Sequence, residues 1–404
     1  PLPQHLWGSI PPGELLSAEI SSRMPLGWGP YMIEEWTSGD HITLIKNPNY
    51  YRASEGLPYF ERLVYRFIGQ GDTALSALLA GECDFVDESG LDGIPHQRLF
   101  QLQDEGRIKV IAEPGTAWEH ADFGLASLDA EKLSLFQSRE VRQAIAQCID
   151  RQALAESLFY GKPVSLNTFV PPTHPLYNNE ARDYAYDPQA AASLLEAAGW
   201  VDADGNTGTP RIAQGVPGVP DGTPLVFAYQ TLGGGERQAA AELIRDWLAQ
   251  CGIAVNLQYV ERETLFAPGP DGPLFGRRFD MAQFAWPASL QPACFLYSTG
   301  EIPGPYPQFP KGWGGANDTG FSNLAFDRAC QRARFSLPDS PDYAMAHREA
   351  QAVFAEELPA IPLYVHLTWA AMRVDLCGVE LQEPVENTLW NLETWDYGPD
   401  AVCD

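Results

Sequence analysis

Cysteines at CxxC or any other metal-ligand spacing are absent from this chain, and with them any reason to assign a structural metal. No apolar run approaches the roughly 20 residues that span a bilayer, so nothing in the sequence serves as a membrane-spanning anchor. Positive charge is scarce: 26 lysines and arginines face 53 aspartates and glutamates, a formal charge of −27. An acidic surface of this kind repels phosphate backbones and anionic headgroups, which excludes a nucleic-acid partner and a polybasic membrane role. A GxSxG elbow, an HExxH helix, a P-loop and a complete GxGxxG are also missing, and the seven histidines are dispersed. The adjacent pairs Glu34-Glu35 and Glu356-Glu357 diverge and make no carboxylate dyad. The reading is therefore a protein that is not an enzyme and needs no cofactor. A glycosidase, whose two acids need only meet in space, is the enzymatic alternative.

What is present is organised on a larger scale. At 404 residues, a prior of about 150 residues per domain gives two or three lobes. The odd set Cys83, Cys148, Cys251, Cys294, Cys330, Cys377 and Cys403 leaves at least one thiol unpaired, and the expectation is mostly buried or free thiols. Tyr31 to Trp36 and His41 to Lys46, separated by Thr37-Ser38-Gly39-Asp40, read as a hairpin. Leu63 to Ile68, a helix from Thr73 to Ala80 stopped by Gly81, and Cys83 to Val86 read as a βαβ unit. Gly106 to Ala112 is a further strand. Ser138 caps a helix with Val141, Ile145 and Ile149 on one face, and Asp150 opens a second that ends at Gly161. Asp187-Pro188 starts an Ala/Leu-rich helix stopped by Gly199. Leu225 to Tyr229, Glu236 to Gln250 and Ile253 to Val260 form a second βαβ unit, so both lobes are α/β. Phe279 to Ala285 and Ala360 to His366 are later strands. Asp202-Ala203-Asp204-Gly205-Asn206 looks like the start of a calcium loop, but position twelve is Ala213 and not a bidentate Glu, so it reads as a turn.

Several of these segments resemble a known family when taken in order: Gly27-Trp28-Gly29-Pro30-Tyr31, Asn47-Pro48-Asn49-Tyr50-Tyr51, Asp72-Thr73-Ala74-Leu75, Gly81 to Asp87, the run SREVRQAIAQCIDRQALAESLFYGKPV, Tyr186-Asp187-Pro188 and Ala198-Gly199-Trp200. The resemblance is to the family 5 solute-binding proteins of ABC importers, which bind peptides or oligosaccharides. It implies an α/β, two-lobed periplasmic-binding-protein architecture (type II, cluster C-like) with mixed sheets. The family's first third is not represented, so the first lobe is expected to be incomplete. The implied domains are 1–117 as part of lobe I, 118–360 as lobe II, and 361–404 as the return to lobe I, with crossings near Trp118 to Leu125 and Ile361 to Trp369. It also implies a monomer on the extracytoplasmic side, lipid-anchored in its full-length form, whose partners are a small peptide or oligosaccharide solute and the transmembrane subunits of an ABC permease. The first residues, Pro1 to Trp7, have no basic or apolar leader character, and a targeting peptide is expected to lie outside them. A sensor docking to a membrane receptor would share the fold.

Peptide-binding members of the family place an aspartate after the strand matching Phe279 to Ala285, where it pairs with the solute's α-ammonium. Here Trp286 takes the matching place, and an aromatic wall suits sugar rings or apolar side chains. Position at the crossings and in the Gly/Pro-rich loops nominates Trp118, Glu119, His120, Trp286, Tyr297, Trp313, Asn317, Phe321, Tyr364, His366 and Trp369 as solute-facing. The competing reading for each aromatic is core packing.

Overall fold

The computed structural model describes residues 4–129, 132–159, 165–381 and 387–398. The chain divides into two compact units, Pro1–Glu113 with Thr368–Asp404, and Pro114–Leu367. Both changes of unit fall inside strands, Lys109–Phe123 and Ala360–Met372, so each crossing is continuous extended backbone.

In the first unit, Tyr31–Thr37, His41–Lys46 and Arg62–Arg66 form a three-stranded antiparallel sheet in that order. Gly39 supplies the left-handed turn residue (φ 80°) of the expected hairpin. The βαβ reading of residues 63–86 is corrected. The helix Gly71–Ala80 is present and ends on Gly81 at φ 73°, but the strands on either side of it belong to different sheets. Phe85–Asp87 pairs antiparallel with Ala370–Met372 near the other end of the sequence. The alternating exposure of Arg62–Arg66 explains why: a strand open to solvent on one face suits an antiparallel ribbon, whereas a parallel βαβ strand is covered on both.

The second unit is built on a mixed sheet in the order Ala360–Met372, Lys109–Phe123, Met281–Pro287, Val226–Thr231, Ala254–Tyr259. Val226–Thr231 and Ala254–Tyr259 are parallel and joined by the helix Gly235–Gln250, as the second βαβ reading expects. Met281–Pro287 runs parallel to Val226–Thr231 and antiparallel to Lys109–Phe123, which puts Glu119 opposite Ala285, His120 opposite Phe284 and Trp118 opposite Trp286. A core of Trp118, Phe169, Tyr297, Phe326 and Phe354 lies beside this sheet with the helix pair Leu324–Phe335 and Pro341–Glu357.

Helix starts follow the written caps. Ser138, Asp187, Asn323 and Ser340 each accept a hydrogen bond from a backbone N–H of their first turn. Removing the Asp187 cap with Asp187→Ala is expected to cost about 1 kcal/mol and to lower the melting temperature by roughly 2–4 °C, measurable by scanning calorimetry. The helix Arg151–Phe159 follows Asp150, but its expected end at Gly161 lies outside the described residues.

Of the expected mostly buried or free thiols, burial holds and freedom does not. Cys148 pairs with Cys251, and Cys294 with Cys330, while Cys377 is also disulfide-bonded. Cys83 is the free thiol among the described residues. Sequence separations of 103 and 36 residues hide these partners, because only the tertiary fold brings the two ends of each pair together.

Candidate functional site

Alternation along Lys109–Phe123 divides the nominated residues between two faces of the second unit's sheet. Glu119 points to one face, and Trp118 and His120 to the other.

On the first face Glu119 is fully buried, and every lone-pair direction of its carboxylate is used. Arg237 donates to it through Nε (2.8 Å to Oε1) and Nη2 (3.1 Å to Oε2). Gln283 Nε2 donates to Oε1 at 3.0 Å, and His366 Nε2 to Oε2 at 2.8 Å. Tyr229 fixes the amide of Gln283 by donating from its hydroxyl to Oε1 (3.0 Å). Burial alone would raise the Glu119 carboxyl. The bond and charge of His366 and the charge of Arg237 outweigh it and hold the group at about 2. The result is a pinned pair of donors whose outer atoms reach solvent: the side chains of Arg237 and His366 are 23% and 21% exposed. His366 Nδ1 lies 3.8 Å from Glu236, and the buried Tyr364 hydroxyl beside this group has no hydrogen-bond partner.

The opposite face carries an aromatic ladder. Trp118 packs on His120 (ring centroids 4.4 Å apart), His120 meets Phe284 edge-on (4.5 Å), and Phe284 meets Trp286 edge-on (5.5 Å). Trp286 is half-buried within the strand Met281–Pro287 and does not follow it. Trp313 is half-buried in a short helical turn, its ring so close to Gly269 that a Cβ there would sit 2.3 Å from it.

The remaining nominated residues lie in the interior of this structure. Trp118, His120, Tyr297 and Tyr364 are buried, as is Phe321, which meets Phe326 edge-on. Asn317 is consumed internally: Nδ2 donates to the carbonyls of Ser298 and Phe321, and Oδ1 accepts from Thr319 Oγ1 at 2.7 Å. Trp369 belongs to the first unit, where it is buried and stacked on His96. Glu119 is also inaccessible and acts by holding other side chains. Reading by position selects the crossing strands but cannot tell an inward from an outward side chain.

Arg237, Gln283 and Tyr229 are not among the nominated residues. Their only sequence signal is a lone arginine in the first turn of a helix after Gly233-Gly234-Gly235, which reads as an ordinary solvated position.

The family described as bacterial extracellular solute-binding proteins, family 5 Middle, matches residues 9–303. The chain is 24% identical over 405 residues to the oligopeptide-binding protein AppA of Bacillus subtilis (strain 168), covering 98% of this chain and 66% of that protein. It is 26% identical over 367 residues to the peptide transport periplasmic protein SapA of Salmonella typhimurium, covering 90% and 58%. It thus spans less than two thirds of the length of these relatives. Among solved structures it is similar to the oligopeptide binding protein from Thermus thermophilus complexed with pentapeptide, with a TM-score of 0.67 and 26% identity over 91% of this chain and 62% of that one. NikZ from Campylobacter jejuni in complex with Ni(L-His) matches with a TM-score of 0.68 at 19% identity over 98% and 72%, a likeness of fold alone. The expected fold class, an α/β type II periplasmic-binding architecture with mixed sheets, is that of these neighbours.

Proposed function

This chain belongs to the bacterial extracellular solute-binding proteins of family 5, and from that premise we propose that it is the substrate-binding component of an ABC importer that captures a peptide and delivers it to a membrane permease. The observation that carries the peptide reading is the saturated Glu119 carboxylate. With four donors already on it, it has no capacity left for a solute ammonium. What faces outward is donor capacity, on Arg237 above all, so the group received there is an acceptor, and the guanidinium charge favours an anionic one such as a peptide carboxylate. The relatives named for oligopeptide binding and peptide transport support the same solute class. The disulfides suit an oxidising, extracytoplasmic compartment.

The sugar alternative rests on the half-buried rings of Trp286 and Trp313, and Trp286 stands on the sheet face opposite Arg237, with Trp118 and His120. Titration calorimetry against di- to nonapeptides and against oligosaccharides separates the two. Peptides are expected to bind, and Arg237→Gln to weaken them about 10- to 100-fold, the worth of one hydrogen bond to a charged group. Oligosaccharide binding unaffected by Arg237→Gln would overturn the peptide assignment.

A further inference from the structure

The loop that leads into the strand Met281–Pro287 carries an arginine that solute binding does not use. Arg277 is 4% exposed and stands at φ 50°, in the left-handed region that favours glycine. A bulky residue held there points to a side chain whose position matters. Its contacts account for most of the guanidinium. Nη1 donates to the Ala126 carbonyl at 3.0 Å, and the Phe309 ring centroid lies 4.6 Å from Cζ. Gly320, at φ 73°, comes so near that a Cβ on it would stand 3.2 Å from Nη1 and 2.7 Å from the Ala126 Cβ. The Arg277 carbonyl in turn accepts from Leu128 N–H and from Ser127 Oγ, each at 3.0 Å, so this one residue anchors the segment 126–128.

The edge left over is the one formed by Nε and Nη2. Both atoms are buried, and neither has a hydrogen-bond partner among the described residues. This is the fork that receives an anion side-on: at Arg237 the same two atoms hold the Glu119 carboxylate. No carboxylate among the described residues meets Arg277 in that way; burial draws its pKa down, and no neighbouring acid raises it. An aromatic face attracts a cation but carries no countercharge. A buried cation without one is costly. A water molecule on the fork would satisfy the donors and leave the charge uncompensated.

We propose that Arg277 is the centre of an anion-binding site separate from the solute site, in which one small monovalent anion of chloride size sits on the Nε–Nη2 fork and holds the segment 126–128 in place through the guanidinium. One negative charge matches the one positive charge it meets. Small size follows from the burial of both donor atoms. Ala126 and Leu128 are exposed, so the segment covering the site lies at the surface, and displacing it is enough to admit an ion. The formal charge of −27 repels anions from the chain as a whole, so occupancy would be a property of this fork and not of the surface around it.

The test is the melting temperature of the unliganded protein in sodium chloride mixed with sodium gluconate at fixed ionic strength, gluconate being too large for a buried fork. Fixing the ionic strength holds constant the screening that any salt gives a chain of this charge. Once chloride exceeds its dissociation constant, each tenfold increase is expected to raise the melting temperature by about 3–5 °C. Arg277→Met should abolish the rise, and Arg237→Gln should keep it. A melting temperature that ignores chloride overturns the proposal. So does a chloride dependence that survives in Arg277→Met, or one that disappears in Arg237→Gln and so belongs to the solute site. If Arg277→Met does not fold, anomalous diffraction from bromide-soaked crystals of the unmodified protein decides. A bromide peak within hydrogen-bonding reach of Arg277 Nε and Nη2 supports the site, and no peak there defeats it. None of these readouts involves a solute, so the anion site and the transport reading fail independently.

Discussion

Replacing Cys148 and Cys251 together with alanine is expected to lower the melting temperature of the second unit by about 10–15 °C. The bond closes a loop of about 100 residues in the unfolded chain, worth roughly 4.7 kcal/mol in the chain-entropy account, and each kcal/mol moves the melting temperature of a unit this size by about 2–4 °C. Its position explains why so long a loop is the one closed. Cys148 is the residue that ends the helix Arg139–Gln147, and Cys251 ends Gly235–Gln250, so the bond joins two helix ends. The second of these helices carries Arg237, which places the bond on the same element as the candidate site. Scanning calorimetry of the double variant, with peptide mapping of the unreduced protein to verify the pairing, checks this. A drop smaller than about 2 °C would show that the cross-link does not restrict the unfolded chain as the loop length requires. The shorter Cys294–Cys330 bond ties the turn carrying Tyr297 to the helix Leu324–Phe335, and its removal is expected to act mainly on that region.

How much of this was legible in the sequence depends on the range of the interaction. Caps are local, so the Ser138 and Asp187 starts are readable from composition and spacing. The second βαβ unit is readable because strand, helix and strand are consecutive and pair directly. Sheet partnership across the chain is not: nothing in Phe85–Asp87 states that Ala370–Met372 is its neighbour. Disulfide pairing is illegible for the same reason. At the candidate site, position alone marks Glu119 and His366 but does not tell their bonding, because a carboxylate that touches solute and one that holds an arginine look identical in a sequence.

Arg237→Ala is expected to cost about 3 kcal/mol of stability in addition to its effect on solute. Breaking a buried ion pair from one side strands the other charge, at a typical cost of about 3–5 kcal/mol. The lower end applies because Arg237 remains partly exposed, and because His366 and Gln283 stay on the abandoned Glu119. The stranded carboxylate loses part of what holds it near 2 while burial continues to push it up. A depressed carboxyl stabilises the fold above its unfolded pKa and stops doing so as pH falls through its folded value. In the unmodified protein this contribution fades only as pH drops from about 4.5 toward 2, whereas in Arg237→Ala the loss of folded structure is expected at a higher pH. Adding Glu119→Gln to Arg237→Ala removes the stranded charge, so the double variant should be more stable at neutral pH than Arg237→Ala alone. Acid titrations followed by circular dichroism, with thermal melts at pH 7 for the two single variants and the double, measure both effects. Strictly additive losses and an unchanged acid midpoint would mean that Glu119 and Arg237 do not act on one another. The donors presented to solvent would then have to be positioned by something other than the buried carboxylate.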